Sequence, residues 1–284
     1  MLTDTEIKEL EEKAEKAREL LIEMLTEAGS GHTAGPLGMA DVFTAFYFHI
    51  LNHDPKNPLW EERDRLILSN GHITPIRYVS MAMAGYFPLD ELKTLRKYGT
   101  RLQGHPERER LPGVETTSGP LGSGLGQACG IAYAARMDGK KFRTYGFMSD
   151  GEHDAGVTWE SVMFAGKNKL HNLTGLIDRN NILIDGMTED IMPLENLRAK
   201  YEAFNWHVLE INGHNFEEIV NAVEEAKAIY EKPTVIISHN IPGKGIPEIE
   251  FDYNWHGKAP NKEEATKFLT ELRTLGGKII SEHQ

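Results

Sequence analysis

Beyond residue 60 the chain alternates short β-rich runs with longer helical ones, and that alternation leaves few architectures open. The β-rich runs are Arg65 to Leu68, Arg143 to Met148, Thr174 to Ile177, His207 to Ile211 and Thr234 to Ser238. Helical stretches lie around Pro75 to Ala84, Gly124 to Arg136, Val157 to Lys169, Leu194 to Phe204 and Phe216 to Tyr230, and a last one runs from Lys262 to Leu275. Strands interleaved in this way are joined by crossovers. The sequence therefore predicts an α/β fold, a mostly parallel sheet with helices on both faces. Ligands of such sheets sit beyond the carboxyl ends of the strands, in the loops that open the following helices.

A helical N-terminal segment precedes the sheet. Ile7, Leu10, Ala14, Ala17, Leu21 and Met24 recur at three- and four-residue steps, with Thr3 and Glu6 in capping-box spacing and Gly29 past the end. A second helix is expected from Met39 to Leu51, stopped by Asp54-Pro55. Its run from Val42 to Phe48 is apolar on nearly all sides, which places it in the core or at a subunit contact. No repeat, low-complexity tract or long linker interrupts the chain, so residues 1–284 read as a single domain with a sizeable core.

Charge narrows the function. With 31 basic and 43 acidic residues the net charge is −12, a field that repels nucleic acid and anionic lipid surfaces. An anionic ligand would need a metal ion or helix N-termini to hold it. The single cysteine, Cys129, excludes an intrachain disulfide framework and reads as a small buried apolar residue. No apolar leader follows Met1, and no stretch approaches the roughly 18 apolar residues of a membrane span. A cytoplasmic protein is expected.

Two constellations carry chemistry. Ser149-Asp150-Gly151 follows one predicted strand and Asp178-Arg179-Asn180-Asn181-Ile182 ends the next, so Asp150 and Asn180 emerge at the carboxyl ends of neighbouring parallel strands. Each segment alone reads as an ordinary turn. Together, a carboxylate, an amide oxygen and the Ile182 carbonyl make a hard oxygen donor set suited to Mg²⁺ beside a phosphate ligand. The second constellation is histidine beside glycine: Gly31-His32, Gly71-His72, Gly104-His105, Gly213-His214 and His256-Gly257. Glycine lets backbone approach a ligand, and an imidazole near its neutral point moves protons. Of these, His214 reads as part of a helix start, because Asn215 and Glu218 have capping spacing.

Thr117 to Gly124 offers backbone amides before a helix, yet its glycines miss the dinucleotide-binding register. Gly243-Lys244-Gly245 lacks the Ser or Thr of a phosphate-binding P-loop. His49 and His53 stand four apart, but Ile50 occupies the Glu position of a zinc-protease motif.

Taken together, these segments resemble the N-terminal portion of transketolase, the part that binds the diphosphate end of thiamine diphosphate. The resemblance runs through Gly29-Ser30-Gly31-His32 with Pro36-Leu37-Gly38-Met39, Arg63-Asp64-Arg65 to Ser69-Asn70-Gly71-His72, Gly104-His105-Pro106-Glu107 and Thr117-Ser118-Gly119-Pro120-Leu121-Gly122. It continues through Ser149-Asp150-Gly151, Trp159-Glu160, Asp178-Arg179-Asn180, Ile184-Asp185-Gly186 and Trp255-His256-Gly257-Lys258, in the family's order along nearly the whole chain.

The resemblance implies a thiamine diphosphate-binding fold of the diphosphate type. It also implies Mg²⁺, or Ca²⁺ or Mn²⁺, held by Asp150, Asn180 and the Ile182 carbonyl. Gly151 would lie beside the diphosphate; Gly119, Pro120 and Leu121 would contact the aminopyrimidine; His72 and His256 would contact the cofactor. His32, His72, His105 and His256 would form the catalytic group, with His32, His105 and His256 on the sugar. The implied reaction moves a two-carbon ketol unit between sugar phosphates, as in pentose phosphate interconversion. Two departures stand out: Ser149 where the family usually has Gly, and Ala155, next to Asp154, where many members carry Glu.

Full-length members of the family continue into a pyrimidine-binding domain and a C-terminal domain, which the sequence after the last helix does not supply. A split transketolase is therefore expected, in which this chain joins a pyrimidine-binding (C-terminal) partner subunit in a heterotetramer. The alternatives are a split thiamine diphosphate enzyme acting on an unusual sugar or a 2-oxoacid, a relative of deoxyxylulose-phosphate synthase, and a non-catalytic cofactor-binding protein.

Overall fold

A computed structural model describes residues 2–274. In chain order the elements are α1 (Asp4–Ala28), α2 (Ala34–Gly38), α3 (Ala40–Ala45), β1 (Arg65–Leu68), α4 (Thr74–Ala84), α5 (Ser123–Met137), β2 (Thr144–Ser149), α6 (Gly156–Lys167) and β3 (Leu173–Arg179). They continue as α7 (Thr188–Ile191), α8 (Leu197–Ala203), β4 (His207–Asn212), α9 (Phe216–Ala228), β5 (Thr234–His239) and α10 (Lys262–Thr274). Leu275, the expected end of the last helix, lies outside the described residues. The five strands form one sheet in the order β1-β2-β3-β5-β4, and every pairing is parallel.

Alternation along the strands divides the core in two. Leu66, Leu68, Tyr145, Phe147, Leu176 and Ile236 face α1, α3, α4 and α9, and α10 closes over α1. Ile67, Met148, Ile177, Val235 and Ile237 face the other way, onto α5, α6 and α8. Both faces are thus covered, as the near-continuous apolar strands require. The capping box predicted at Thr3 and Glu6 is present, and Gly29 closes α1 in the left-handed conformation at φ 63°.

The helix expected from Met39 to Leu51 is present from Ala40 to Ile50, with its second half wound more loosely than an α-helix. α2 and α3 meet at Met39, and Phe46–Ile50 forms a π-helical turn closed by the Leu51 N–H on the Phe46 carbonyl. Just before this helix, a Cβ on Gly38 would stand 2.7 Å from the Ile241 carbonyl oxygen, so the chain passes this point as bare backbone. Phe43 and Phe46 are fully buried in the chain's own core, the first of the two placements expected for this run. His49 is exposed. His53 binds the Tyr86 hydroxyl and the Tyr47 carbonyl, in keeping with a structural role.

Strand ends shift by a residue or two from expectation, and β3 runs on through Asp178 and Arg179. The short α7 was not anticipated, and α8 starts at Leu197 because Asn196 caps it, accepting from the Ala199 N–H at 3.0 Å. Cys129 is buried and its thiol is pushed up to about 12 by burial. Among the described residues no helix is long and apolar enough to cross a membrane.

Candidate active site

The loops that follow β1, β2 and β3 meet at the carboxyl ends of adjacent strands. Ser149 is paired with Asp178, and the Asp150 N–H donates to the Asp178 carbonyl, which brings Asp150 beside the Arg179-Asn180-Asn181 turn. A cavity of about 210 Å³ opens there. Asp150, Gly151, Asn180 and Ile182 line it together with His72, Leu121 and His256. Three larger cavities, of about 490, 500 and 360 Å³, lie around Asn212 and Asn240, around Met192 and Phe204, and around Met24 and Leu89. None gathers the expected donors, so convergence of chemistry rather than volume selects the smaller one.

Asp150 is held from several sides. Its Oδ1 accepts from the Gly151 N–H at 2.8 Å, and its Oδ2 accepts from the Asn181 N–H at 2.8 Å and from Arg179 at 3.1 Å. Burial pushes this carboxyl up, against the Asn181 N–H and the Arg179 guanidinium, which pull it down. Asn180 is oriented by its neighbours. Its amide donates to Asp178 Oδ2 at 2.8 Å, while Asn240 donates to Asp178 Oδ1 at 2.6 Å. With the NH₂ group so engaged, the Asn180 amide oxygen is the free end, and it accepts only the Ile182 N–H at 3.1 Å.

A carboxylate, an amide oxygen and a backbone carbonyl are hard donors of the kind that hold Mg²⁺ or Ca²⁺ and leave positions for phosphate oxygens. Among the described residues no cluster of three or more His, Cys, Asp or Glu competes with this set as a metal site. The residues present fit a divalent cation with a diphosphate. A Cβ on Gly151 would come within 2.2 Å of Leu183 Cδ2, so only glycine leaves that wall where it is.

The four expected histidines converge. His72 lies 5.2 Å from His32 and 5.1 Å from His256, ring centre to ring centre, and His32 lies 5.5 Å from His256 and 6.4 Å from His105. Burial holds all four below the usual imidazole range. His32 is lowered to about 4 by burial and then by His256, Arg96 and His105, and His72 well below its ordinary value by burial and the other three rings. Near neutral pH each ring is uncharged and offers one donor and one acceptor.

Gly119 and Pro120 do not line the cavity; Gly119 instead adjoins the histidines. A Cβ on Gly71 would stand 2.6 Å from Ser118 Oγ, 2.9 Å from His105 Cδ2 and 3.2 Å from the Gly119 nitrogen. The two glycine-rich motifs therefore pack backbone to backbone. His214 stays out of the site: Asn215 caps α9, and the His214 ring bridges Asp41 and the Ile241 N–H.

Several site residues escaped sequence reasoning. Glu152 receives N–H bonds from Ser149 at 2.9 Å and Gly122 at 3.3 Å, tying the end of β2 to the start of α5, and burial pushes it up to about 7. Ser149 also gives it a hydroxyl bond, so the Ser in place of Gly is absorbed locally. Asp178 orients Asn180 and is likewise pushed up to about 7 by burial. His32 Nδ1, both polar atoms of the Asn70 side chain and Ser118 Oγ are buried without a protein partner. Asn70 and Ser118 lie within the glycine-histidine and glycine-rich motifs.

Comparison with known proteins agrees with this geometry. Residues 10–275 match the family described as transketolase, thiamine diphosphate binding domain. The chain belongs to this family. It is 44% identical over 268 residues to the 6-deoxy-6-sulfo-D-fructose transketolase subunit SqwG of Clostridium sp. (strain MSTE9), covering 94% of this chain and 98% of that one. It is 38% identical over 278 residues to an apulose-4-phosphate transketolase subunit from Phocaeicola vulgatus, covering 98% and 99%. The structure of transketolase from Leishmania mexicana superposes with a TM-score of 0.87 at 34% identity, covering 93% of this chain and 41% of that one. This transketolase-family chain thus spans nearly all of two relatives named as subunits and about two-fifths of a full-length enzyme.

Proposed function

We propose that this chain is the diphosphate-binding subunit of a split transketolase, which moves a two-carbon ketol unit between anionic sugars once a pyrimidine-binding subunit completes the site. The observation that carries it is the cavity of about 210 Å³ in which Asp150, Asn180, Ile182, Gly151, His72 and His256 converge. Near-complete coverage of two chains named as transketolase subunits supports the split arrangement. In this reading Asp150, Asn180 and the Ile182 carbonyl hold Mg²⁺, and Gly151 borders the diphosphate. Gly119, Pro120 and Leu121 border the aminopyrimidine.

When bound, thiamine diphosphate supplies the carbon nucleophile and electron sink that cleavage beside a carbonyl requires. The chain's own share is placement and proton traffic. Neutral His72 and His256 border the cavity, with His32 and His105 beside them, and each could accept a hydroxyl proton from a sugar or donate one to a developing alkoxide. The Arg179 guanidinium and the Asn181 N–H orient Asp150, and Asp178 orients Asn180, in the manner of outer partners that fix metal ligands.

The two subunit relatives are named for a sulfo sugar and for apulose-4-phosphate, which supports an uncommon anionic sugar over the usual pentose phosphates. Calorimetric titration of the assembled subunits with thiamine diphosphate tests the cofactor reading. Binding that requires Mg²⁺, Mn²⁺ or Ca²⁺ is expected; equally tight binding in EDTA overturns the metal assignment.

A further inference from the structure

Arg96 stands apart from the other cations around it. Lys93 pairs with Asp90 at 3.0 Å, Lys97 pairs with Glu27, and Arg101 makes two bonds to Glu91 at 2.6 and 2.9 Å. Among the described residues the Arg96 guanidinium has no carboxylate partner. It lies flat over Gly104: a Cβ there would be 2.7 Å from Arg96 Nε, 2.8 Å from Cζ and 3.0 Å from Nη2. Glycine at 104 is what allows this seat, and the next residue is His105.

The backbone is arranged to present the side chain. Arg96 has φ 60°, a left-handed conformation that a non-glycine residue seldom adopts. It is held there by the Arg96 N–H on the Leu102 carbonyl at 2.9 Å, between buried Leu95 and Leu102. An unpaired guanidinium in a strained, anchored turn beside a reactive cluster has the marks of a functional residue.

Position along the site indicates what it serves. His72 and His256 line the cavity with Asp150 and Asn180, whereas His32 and His105 do not. Arg96 sits against Gly104, the neighbour of His105, and the His105 ring lies 6.4 Å from His32. The order is therefore metal cavity, inner histidines, outer histidines, Arg96. A sugar whose reacting carbonyl lies over the cavity would extend its far end toward Arg96.

We propose that Arg96, seated on Gly104, binds the terminal tetrahedral oxyanion of the sugar, a phosphate or a sulfonate, and so gives this chain its own share in reading substrate charge. The inference rests on the transketolase reading above. Arginine suits the task, since its planar fork makes paired charge-assisted bonds to such oxyanions.

The test uses the assembled subunits with wild-type, Arg96→Asn and Arg96→Lys chains. Asn is chosen because it tolerates the left-handed backbone. Ketol transfer is measured with a ketose phosphate, a sulfoketose and an uncharged ketose, and the readout is kcat/KM for each anionic sugar relative to the neutral one. In Arg96→Asn this ratio is expected to fall roughly 10- to 100-fold for the anion the site reads, with Arg96→Lys between it and wild type. An unchanged ratio for both anions overturns the proposal.

A second readout needs no turnover. With thiamine diphosphate present, inorganic phosphate or methanesulfonate is expected to move the His105 imidazole resonances in the wild-type chain and not in Arg96→Asn. A silent His105 in wild type overturns the proposal. Absence of transfer from every sugar by the wild-type complex overturns the transketolase reading instead, and the resonance test still decides the role of Arg96.

Discussion

Replacing Asp41 by Asn isolates the polar joint that ties the N-terminal helices to the sheet. Asp41 Oδ2 accepts from Arg18 of α1 at 2.5 Å and from His214 Nδ1 at 2.7 Å, with side chains only 1%, 8% and 9% exposed for Arg18, Asp41 and His214. His214 Nε2 in turn accepts the Ile241 N–H at 2.8 Å, next to the backbone contact at Gly38. Burial works to raise the Asp41 carboxyl, but the Arg18 guanidinium and the His214 N–H win and hold it well below the usual range. The amide of Asp41→Asn would keep the shape and lose the charge, leaving a buried arginine whose Nε already lacks a partner.

Breaking a buried pair from one side costs about 3–5 kcal/mol. For a chain of this size that is a fall in melting temperature of roughly 6–20 °C. Urea unfolding is the assay: the midpoint should drop with an unchanged slope, and the native advantage of Asp41 should be full above the unfolded carboxyl pKa of 3.8 and vanish as pH falls below it. Arg18→Met with Asp41→Leu should recover only part of the loss, because the two apolar groups remove both buried charges but leave the His214 Nδ1–H without its acceptor. A loss below about 1 kcal/mol for Asp41→Asn would overturn the buried-joint reading, since exposed pairs already contribute that much.

Asp150→Ala should abolish divalent-metal dependence and weaken thiamine diphosphate binding at least about tenfold in calorimetry, since it removes the only carboxylate among the three proposed ligands. Gly71→Ala should cost about 1–3 kcal/mol in urea unfolding by driving the Ser118-Gly119 backbone off His105; a neutral effect would mean that the two motifs are not in contact. His32 should titrate near 4 by NMR, and because the unfolded ring protonates near 6.5, its contribution lowers stability as pH falls from 6.5 toward 4, by up to about 1 kcal/mol per pH unit. A titration of His32 at 6.5 in the folded chain would contradict its burial.

The sheet and the convergence of Asp150 with Asn180 were legible in the sequence because strand alternation forces parallel crossovers, and parallel neighbours bring their carboxyl ends together. The close passage of Gly38 was not, since it is made against the Ile241 carbonyl, about two hundred residues away in the chain. No motif singles out Arg18 or Asp41 in one dimension, and Arg179 stood in a motif without a role; the fold shows all three buried and paired. His214 shows the same limit. Its capping context was correctly read from Asn215 and Glu218, while its bond to Asp41 depends on packing between α3 and the end of β4.

One comparison of rates bears most directly on the split-enzyme reading. Two-carbon transfer from a ketose phosphate to an aldose phosphate, with thiamine diphosphate and Mg²⁺, should be undetectable for this chain alone and for its pyrimidine-binding partner alone, and should appear on mixing. Robust transfer by rigorously partner-free protein, or none from the mixture with any anionic sugar, would contradict it.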